Sequence, residues 1–228
     1  MSWVLVTGGA KGIGAAICLA LAEQGHNIVI HYRKSQKSAQ EVADRCREIG
    51  VHAEIIEGDF SSDLALKDFI DRYLQQFDST SGLVNNAGEY LIAPSLETEA
   101  SSWRSLFEVN FFAPVFLTQT LASSLEVVVN LGQVGLERGY KTIAAYGASK
   151  AALLSVTRSL SRELAPRGVR VNMVSPGYVE TTAGEIQVER LPMERMATPC
   201  EIASAVAFFF RKESSYITGQ NLEVAGGL

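Results

Sequence analysis

Tyr146 and Lys150 stand four residues apart in a segment whose apolar residues recur at threes and fours. Positions i and i+4 of a helix share a face, so the phenol and the ammonium project side by side. An isolated tyrosine titrates near pH ~10 and moves protons poorly at neutral pH. A neighbouring ammonium favours the phenolate and should pull that value down. Such a tyrosine could protonate a carbonyl oxygen as hydride arrives, or deprotonate an alcohol in reverse. Taken alone, the pattern far more often describes an amphipathic helix with a surface lysine.

A second stretch, "LVTGGAKGIGAAI", joins an apolar run to a helical segment and carries the spacing G-x-x-x-G-x-G. Gly8 permits a tight turn, Gly12 lets a phosphate approach the backbone, and Gly14 lets the helix pack closely. With Ile13 between them, the N–H groups at the helix start would face a pyrophosphate. Lys11 lies inside this turn, and Arg33 and Lys34 follow the next apolar run, "IVIHYRKS". No Asp or Glu occurs between Asn27 and Gln40. A ribose 2′-hydroxyl calls for an acid there and a 2′-phosphate for a base, so this pattern favours NADP(H). The bland reading of Arg33 and Lys34 is a solvated surface pair.

These groups need a frame. Apolar runs at Trp3–Val6, Ile28–His31, Ala53–Ile56, Gly82–Val84, Val127–Leu131, Val169–Val174 and Leu222–Val224 read as strands. Several are apolar throughout, as strands covered on both faces are. Between them lie helical segments at Ile13–Gln24, Ala39–Ile49, Leu64–Gln76, Trp103–Leu121, Tyr146–Ala165 and Glu201–Phe210. Gly58–Asp63 reads as a strand end followed by a helix N-cap. Strand–helix alternation without a linker or repeat predicts one doubly wound α/β domain over residues 1–228, a parallel sheet covered on both sides.

The chain has 228 residues, 47% of them hydrophobic, and a net charge of −5. That is enough apolar material for a large core, and no basic field invites nucleic acid. Cys18, Cys46 and Cys200 form no pair or zinc spacing and read as small hydrophobes in a reducing compartment. His26, His31 and His52 have no ligand spacing and read as turn and strand-edge residues. No signal peptide is expected at the N-terminus, and the longest apolar stretch, Ala205 to Phe210, is too short to span a membrane. A cytoplasmic protein is the expectation.

"TGGAKGIG", "LVNNAG", Asn110 in "FEVNFFAP", "YGASKAAL", "RVNMVSPGYVET" and "ITGQNLEVAGG" follow one another in a definite order. In these motifs, across essentially the whole chain, the sequence resembles the short-chain dehydrogenase/reductase family. Within it, the chain is similar to 3-oxoacyl-(acyl-carrier-protein) reductases. The resemblance implies a Rossmann-type, seven-stranded parallel sheet in the order 3-2-1-4-5-6-7. It implies Tyr146 as acid/base, with Lys150 lowering its pKa and binding the nicotinamide ribose. Asn110 would hold a helix irregularity and a relay water. Asn86, Ala87 and Gly88 would line the adenine–ribose side, with Asp59 and Phe60 at the adenine. Pro176, Gly177, Val179 and Thr181 would meet the nicotinamide. It further implies a small-molecule or acyl-carrier-protein-tethered substrate and a homodimer or homotetramer.

The family usually places a serine thirteen positions before the tyrosine; here that position is Gln133. The only hydroxyls between Ser124 and Ser149 are Tyr140, Thr142 and Tyr146, the first two well beyond the strand end. Gln133 has an amide NH₂ that could donate in place of the serine, but it is longer and cannot share a proton as a hydroxyl does. Three readings stay open. Gln133 replaces the donor; or it marks other chemistry, as in pteridine reductases, which resemble the chain at "HYRKS" and at Glu137-Arg138-Gly139; or the site binds NADP(H) without turnover. The segments from Asn110 to Gln133 and from Gly177 to Pro192 are shorter than in many relatives. The second normally forms the substrate lid, so a more open pocket is expected. Glu185, Glu189 and Glu194 read as a solvated lid face. Trp103, Phe107, Phe111 and Phe112 read as core or subunit packing, and Phe208–Phe210 as a buried helix end.

Overall fold

The computed structural model describes residues 2–139, 141–182 and 186–228. Seven strands form one sheet: β1 (Trp3–Val6), β2 (Asn27–Tyr32), β3 (Ala53–Glu57), β4 (Thr80–Asn85), β5 (Val127–Leu131), β6 (Arg170–Pro176) and β7 (Asn221–Val224). Their order is β3-β2-β1-β4-β5-β6-β7, and every pairing is parallel. Seven α-helices accompany them: α1 (Gly12–Ala22), α2 (Gln36–Ile49), α3 (Asp63–Gln76), α4 (Ala100–Phe107), α5 (Ala113–Leu121), α6 (Ala144–Leu164) and α7 (Pro199–Phe208). Each strand run predicted from the sequence is present, extended or trimmed by a residue or two.

The apolar runs are continuous because both sheet faces are covered. Val4, Val6, Ile28, Ile30, Val84 and Val129 pack on one face against α1, α2 and α7. The alternate residues Leu5, Val29, Leu83, Val128 and Val171 pack on the other with residues of α3 and α5. All of these are at most 1% exposed, which is what successive side chains on opposite faces of a buried strand should show.

Helix boundaries follow local chemistry. Ser62 Oγ accepts from the Ala65 N–H and starts α3, as the Gly58–Asp63 stretch predicts. Thr198 and Glu201 form a reciprocal capping box ahead of α7, and Arg195 grips the same Glu201 carboxylate with both terminal nitrogens. α2 stops at Gly50, whose φ of 109° is the left-handed C-terminal geometry. Ile49 there is 42% exposed and falls off the buried stripe of Val42 and Cys46.

The long helix predicted over Trp103–Leu121 is interrupted. Glu108–Phe112 form a π-turn between α4 and α5, centred on Asn110, which is fully buried. Around it, Trp103, Phe107, Phe111 and Phe112 are only half-buried. The fully buried positions are Leu106, Val109, Ala113 and Leu117, and Phe111 packs from the side against the cluster of Leu153, Leu154 and Met173. The rings of Phe107, Phe111, Phe112 and Phe116 touch in sequence along the helix surface. Phe209 is buried as expected, beside half-buried Phe208 and Phe210. Among the described residues, no helix is long and apolar enough to cross a membrane.

Candidate active site

The carboxyl ends of β4, β5 and β6, with Ile13 at the start of α1, open onto a cleft of about 620 Å³. It lies where the strand order reverses beside β1, the place where open parallel sheets take ligands. Ten of the residues singled out in the sequence line it: Ile13, Asn86, Gly88, Gln133, Tyr146, Lys150, Pro176, Gly177, Val179 and Thr181.

The glycine turn forms one end. Gly8 and Gly12 have φ of +63° and +53°, the left-handed region that side chains rarely adopt. A Cβ on Gly14 would lie 2.2 Å from the Gly8 carbonyl oxygen, so this glycine lets α1 close onto the turn itself. Beyond Gly12 the nearest heavy atoms are those of the Thr181 side chain, at 3.5 Å or more, so the backbone is open toward the β6 loop. Lys11, the N-cap of α1, contributes no side-chain cap, leaving the helix's first N–H groups to a ligand. The open glycines and uncapped helix start fit a dinucleotide pyrophosphate.

The turn is stitched to β4. Thr7 Oγ1 accepts from the N–H groups of Asn86 (2.9 Å) and Ala87 (3.0 Å), while Asn86 Nδ2 donates to the carbonyls of Thr7 and Gly8. His31 holds the turn from β2. Gly8 N–H donates to its Nδ1 at 3.0 Å, which leaves the ring proton on Nε2 to donate to the Gly58 carbonyl at 3.1 Å. The ring is 3% exposed and stacks on Phe60 at 4.3 Å, and burial lowers its pKa to about 4. His31 is therefore a buried joint rather than a surface turn residue. Phe60 is committed to that stack and is 4% exposed, so its ring offers no open face to an adenine; Asp59 beside it is exposed. Arg33 and Lys34 are exposed past β2, and Arg33 forms an ion pair with Glu89 at 2.8 Å.

At the other end, Tyr146 sits in the first turn of α6 and Lys150 one turn later. Lys150 Nζ donates to the Leu131 carbonyl at 2.7 Å and lies 5.9 Å from the Tyr146 ring centre. Gly88 makes room: a Cβ there would come within 3.0 Å of Asn110 Oδ1 and 3.7 Å of Lys150 Nζ. Burial lowers Lys150 to about 8, so it remains mostly charged at neutral pH. Tyr146 is pushed up to about 12, by burial first and by neighbouring Tyr90 second. The spacing argument predicts the opposite shift. In this pocket, removal of water outweighs an ammonium that points away toward a carbonyl. The phenol is thus a proton donor at neutral pH, as reduction of a carbonyl requires.

Asn110 uses its whole side chain. Oδ1 accepts from the Glu89 N–H, and Nδ2 donates to the Glu89 carbonyl and to Ser149 Oγ. Ser149 in turn donates to the Tyr146 carbonyl at 2.7 Å. The π-turn that delivers Asn110 is the irregularity the family resemblance implies.

Gln133 follows β5 on a backbone that keeps pairing with β6: Gly132 N–H donates to Val174 O and Val134 N–H to Pro176 O. A Cβ on Gly132 would come within 2.5 Å of Met173 and Ser175, so the glycine permits this close approach. The Gln133 side chain lines the cleft, and its Oε1 is buried with no hydrogen-bond partner among the described residues. Of the alternative hydroxyls, Thr142 is not among the cleft-lining residues, and Tyr140 lies outside the described residues. Glu189 and Glu194 are exposed as expected; Glu185 lies outside the described residues.

Arg138, singled out within Glu137-Arg138-Gly139, also lines the cleft, and sequence reasoning missed several further lining residues: Glu89, Tyr90, Ile143 and Tyr178. Glu89 and Tyr90 directly follow "NNAG", and Tyr178 lies inside "SPGYVET", so position at a motif was the available signal. Ser149 lay inside "YGASK" unassigned. His31 had none, because burial of a histidine in a central strand is a tertiary fact.

Cleft, glycine turn and a half-buried tyrosine beside a buried lysine together define a dinucleotide-dependent oxidoreductase. The profile described as "Enoyl-(Acyl carrier protein) reductase" matches residues 8–228. The chain is 34% identical to the Bacillus subtilis oxidoreductase YhxC over 236 positions, spanning 98% of this chain and 83% of that one. It is 31% identical to the 3-oxoacyl-[acyl-carrier-protein] reductase FabG of Staphylococcus epidermidis, spanning 98% and 97%. A blue fluorescent protein from a metagenomic library, solved with NADPH, superposes with a TM-score of 0.93 at 32% identity, spanning 99% and 97%. The chain belongs to the short-chain dehydrogenase/reductase family. Alignments of 236 and 238 positions exceed its 228 residues, so these relatives carry insertions where this chain is shorter.

Proposed function

We propose that the protein is an NADPH-dependent carbonyl reductase acting on a 3-oxoacyl thioester. The observation that carries this reading is the half-buried Tyr146 beside the buried Lys150 in a large cleft, with its phenol pushed up in pKa and so protonated at neutral pH. The bound nicotinamide supplies the hydride. Tyr146 gives its phenolic proton to the substrate oxygen. Lys150 stabilises the phenolate left behind and holds the nicotinamide ribose. Asn110 fixes the first turn of α6 through Ser149 and keeps the proton relay in place. Gln133 donates from its amide to the substrate oxygen.

The remaining cradle divides by the cofactor's parts. Gly8, Lys11, Gly12, Ile13 and Gly14 hold the pyrophosphate, and Arg33 and Lys34 read the 2′-phosphate. Asn86, Ala87, Gly88 and Asp59 line the adenosine, with the Phe60 ring as support behind them. Pro176, Gly177, Val179 and Thr181 meet the nicotinamide. The likeness to FabG and to an NADPH-bound structure supports both substrate class and cofactor. The short lid and wide cleft suit a tethered substrate, and the half-buried aromatic stripe on α4 and α5 suits a homo-oligomer.

A second reading, a pteridine reductase, is favoured by Arg138 in the cleft wall. The test is NADPH consumption with an acetoacetyl thioester and a dihydropterin in parallel, with cofactor binding followed by fluorescence. Turnover of the thioester is expected. Turnover of the pterin alone would replace the first reading with the second. Tight NADPH binding with neither turned over would point to another substrate or to an NADP(H)-binding protein without turnover.

A further inference from the structure

The sequence places no acid within reach along the β2 end, yet the structure supplies one from elsewhere. Glu89, just past β4, sets its Oε1 2.8 Å from a terminal nitrogen of Arg33. Its other oxygen, Oε2, accepts from Ser105 Oγ on α4 at 2.8 Å. Its backbone is clamped at both ends by Asn110, with N–H and carbonyl each 2.9 Å from the Asn110 amide. The carboxylate is therefore held by Ser105 as well as by Arg33, on a backbone pinned by Asn110, whereas among the described residues the exposed Arg33 side chain is held by this one ion pair.

We propose that Glu89 sets the cofactor preference by competing with the 2′-phosphate for Arg33. This rests on the reading of Arg33 as the phosphate-binding residue. Any phosphate that Arg33 binds must take the guanidinium from Glu89 or share it, with a fixed carboxylate close by. An exposed ion pair is weak, so the exchange is possible but it lowers NADPH affinity. NADH, which lacks the phosphate, does not meet this competition. Glu89 thus narrows the gap between the two cofactors, and it does so from the loop after β4, outside the strand end usually inspected for that choice.

The test is fluorescence titration of NADPH and NADH against wild type, Glu89→Gln, Arg33→Ala and the double variant at one ionic strength. Gln keeps the shape and the backbone clamp and removes the charge. Glu89→Gln is expected to tighten NADPH roughly two- to fivefold and to move NADH less than about 1.5-fold. In the Arg33→Ala background the gain is expected to disappear. Weaker NADPH binding in Glu89→Gln would mean that Glu89 orients Arg33 for the phosphate, and would overturn the proposal. An equal gain for both cofactors, or a gain that survives loss of Arg33, would overturn it as well. If Arg33→Ala weakens both cofactors equally, the fault lies instead in the assignment of Arg33.

Discussion

Acid should weaken the fold through one ring. His31 is neutral in the folded state because Nδ1 must accept from the Gly8 N–H; a proton there would set two donors against each other. Burial lowers its pKa to about 4, against roughly 6.5 for an unfolded histidine. A lowered histidine means that the unfolded chain binds more protons between these values, so stability rises with pH across that window. The contribution is complete above pH ~6.5 and is lost as pH falls toward ~4. Evaluated between pH 7 and pH 5, it amounts to about 2 kcal/mol. The assay is urea unfolding at both pH values for wild type and His31→Gln. The glutamine does not titrate, so the wild type should lose about 2 kcal/mol more than the variant between the two. The variant should be less stable at pH 7, since its amide must reach both Gly8 and Gly58 without the Phe60 stack. Equal losses in the two proteins would refute the argument, because carboxylates such as Glu201 contribute alike to both.

Other outcomes follow from the same geometry. Tyr146→Phe should abolish turnover while leaving NADPH binding in place; full activity would remove the mechanism. Gln133→Ser should raise turnover of an acetoacetyl thioester, by up to about 10²-fold if the serine restores an oriented donor, with NADPH affinity nearly unchanged. No gain in steady-state kinetics would mean that serine is not what this site needs. Gly14→Ala drives a methyl against the Gly8 carbonyl and should cost both NADPH affinity and several degrees of thermal stability. Gly147→Ala, with open space around it in α6, should raise stability by about 1 kcal/mol in urea unfolding.

The sheet was legible because strands buried on both faces leave unbroken apolar runs, as at Val127–Leu131. The helix at Trp103–Leu121 was legible as helical content but not as an interrupted one. Its π-turn exists to aim Asn110, and 3.6-residue periodicity carries no trace of a single extra residue. The site residues of Tyr146, Lys150 and the glycine turn stand in motifs and could be named. Their protonation could not: spacing brings Lys150 to Tyr146, but burial of the phenol and the neighbouring Tyr90 decide the direction of the shift. Glu89 and His31 illustrate the other limit. Each acts on a residue more than twenty positions away, so neither has a local pattern to betray it.

The pairing of β1 with β4 joins Trp3 to Thr80, across three intervening helices. β1–β2 and β2–β3 are closed over far shorter loops. In kinetic terms, the left half of the sheet can assemble from near neighbours, while its junction with the right half awaits a long loop closure. The reactive crevice lies on that junction and does not exist before it forms. A ligand seated there can bind only chain that has already passed the slow step. Cofactor in the refolding buffer should therefore lengthen the lifetime of the folded protein and leave its rate of formation unchanged.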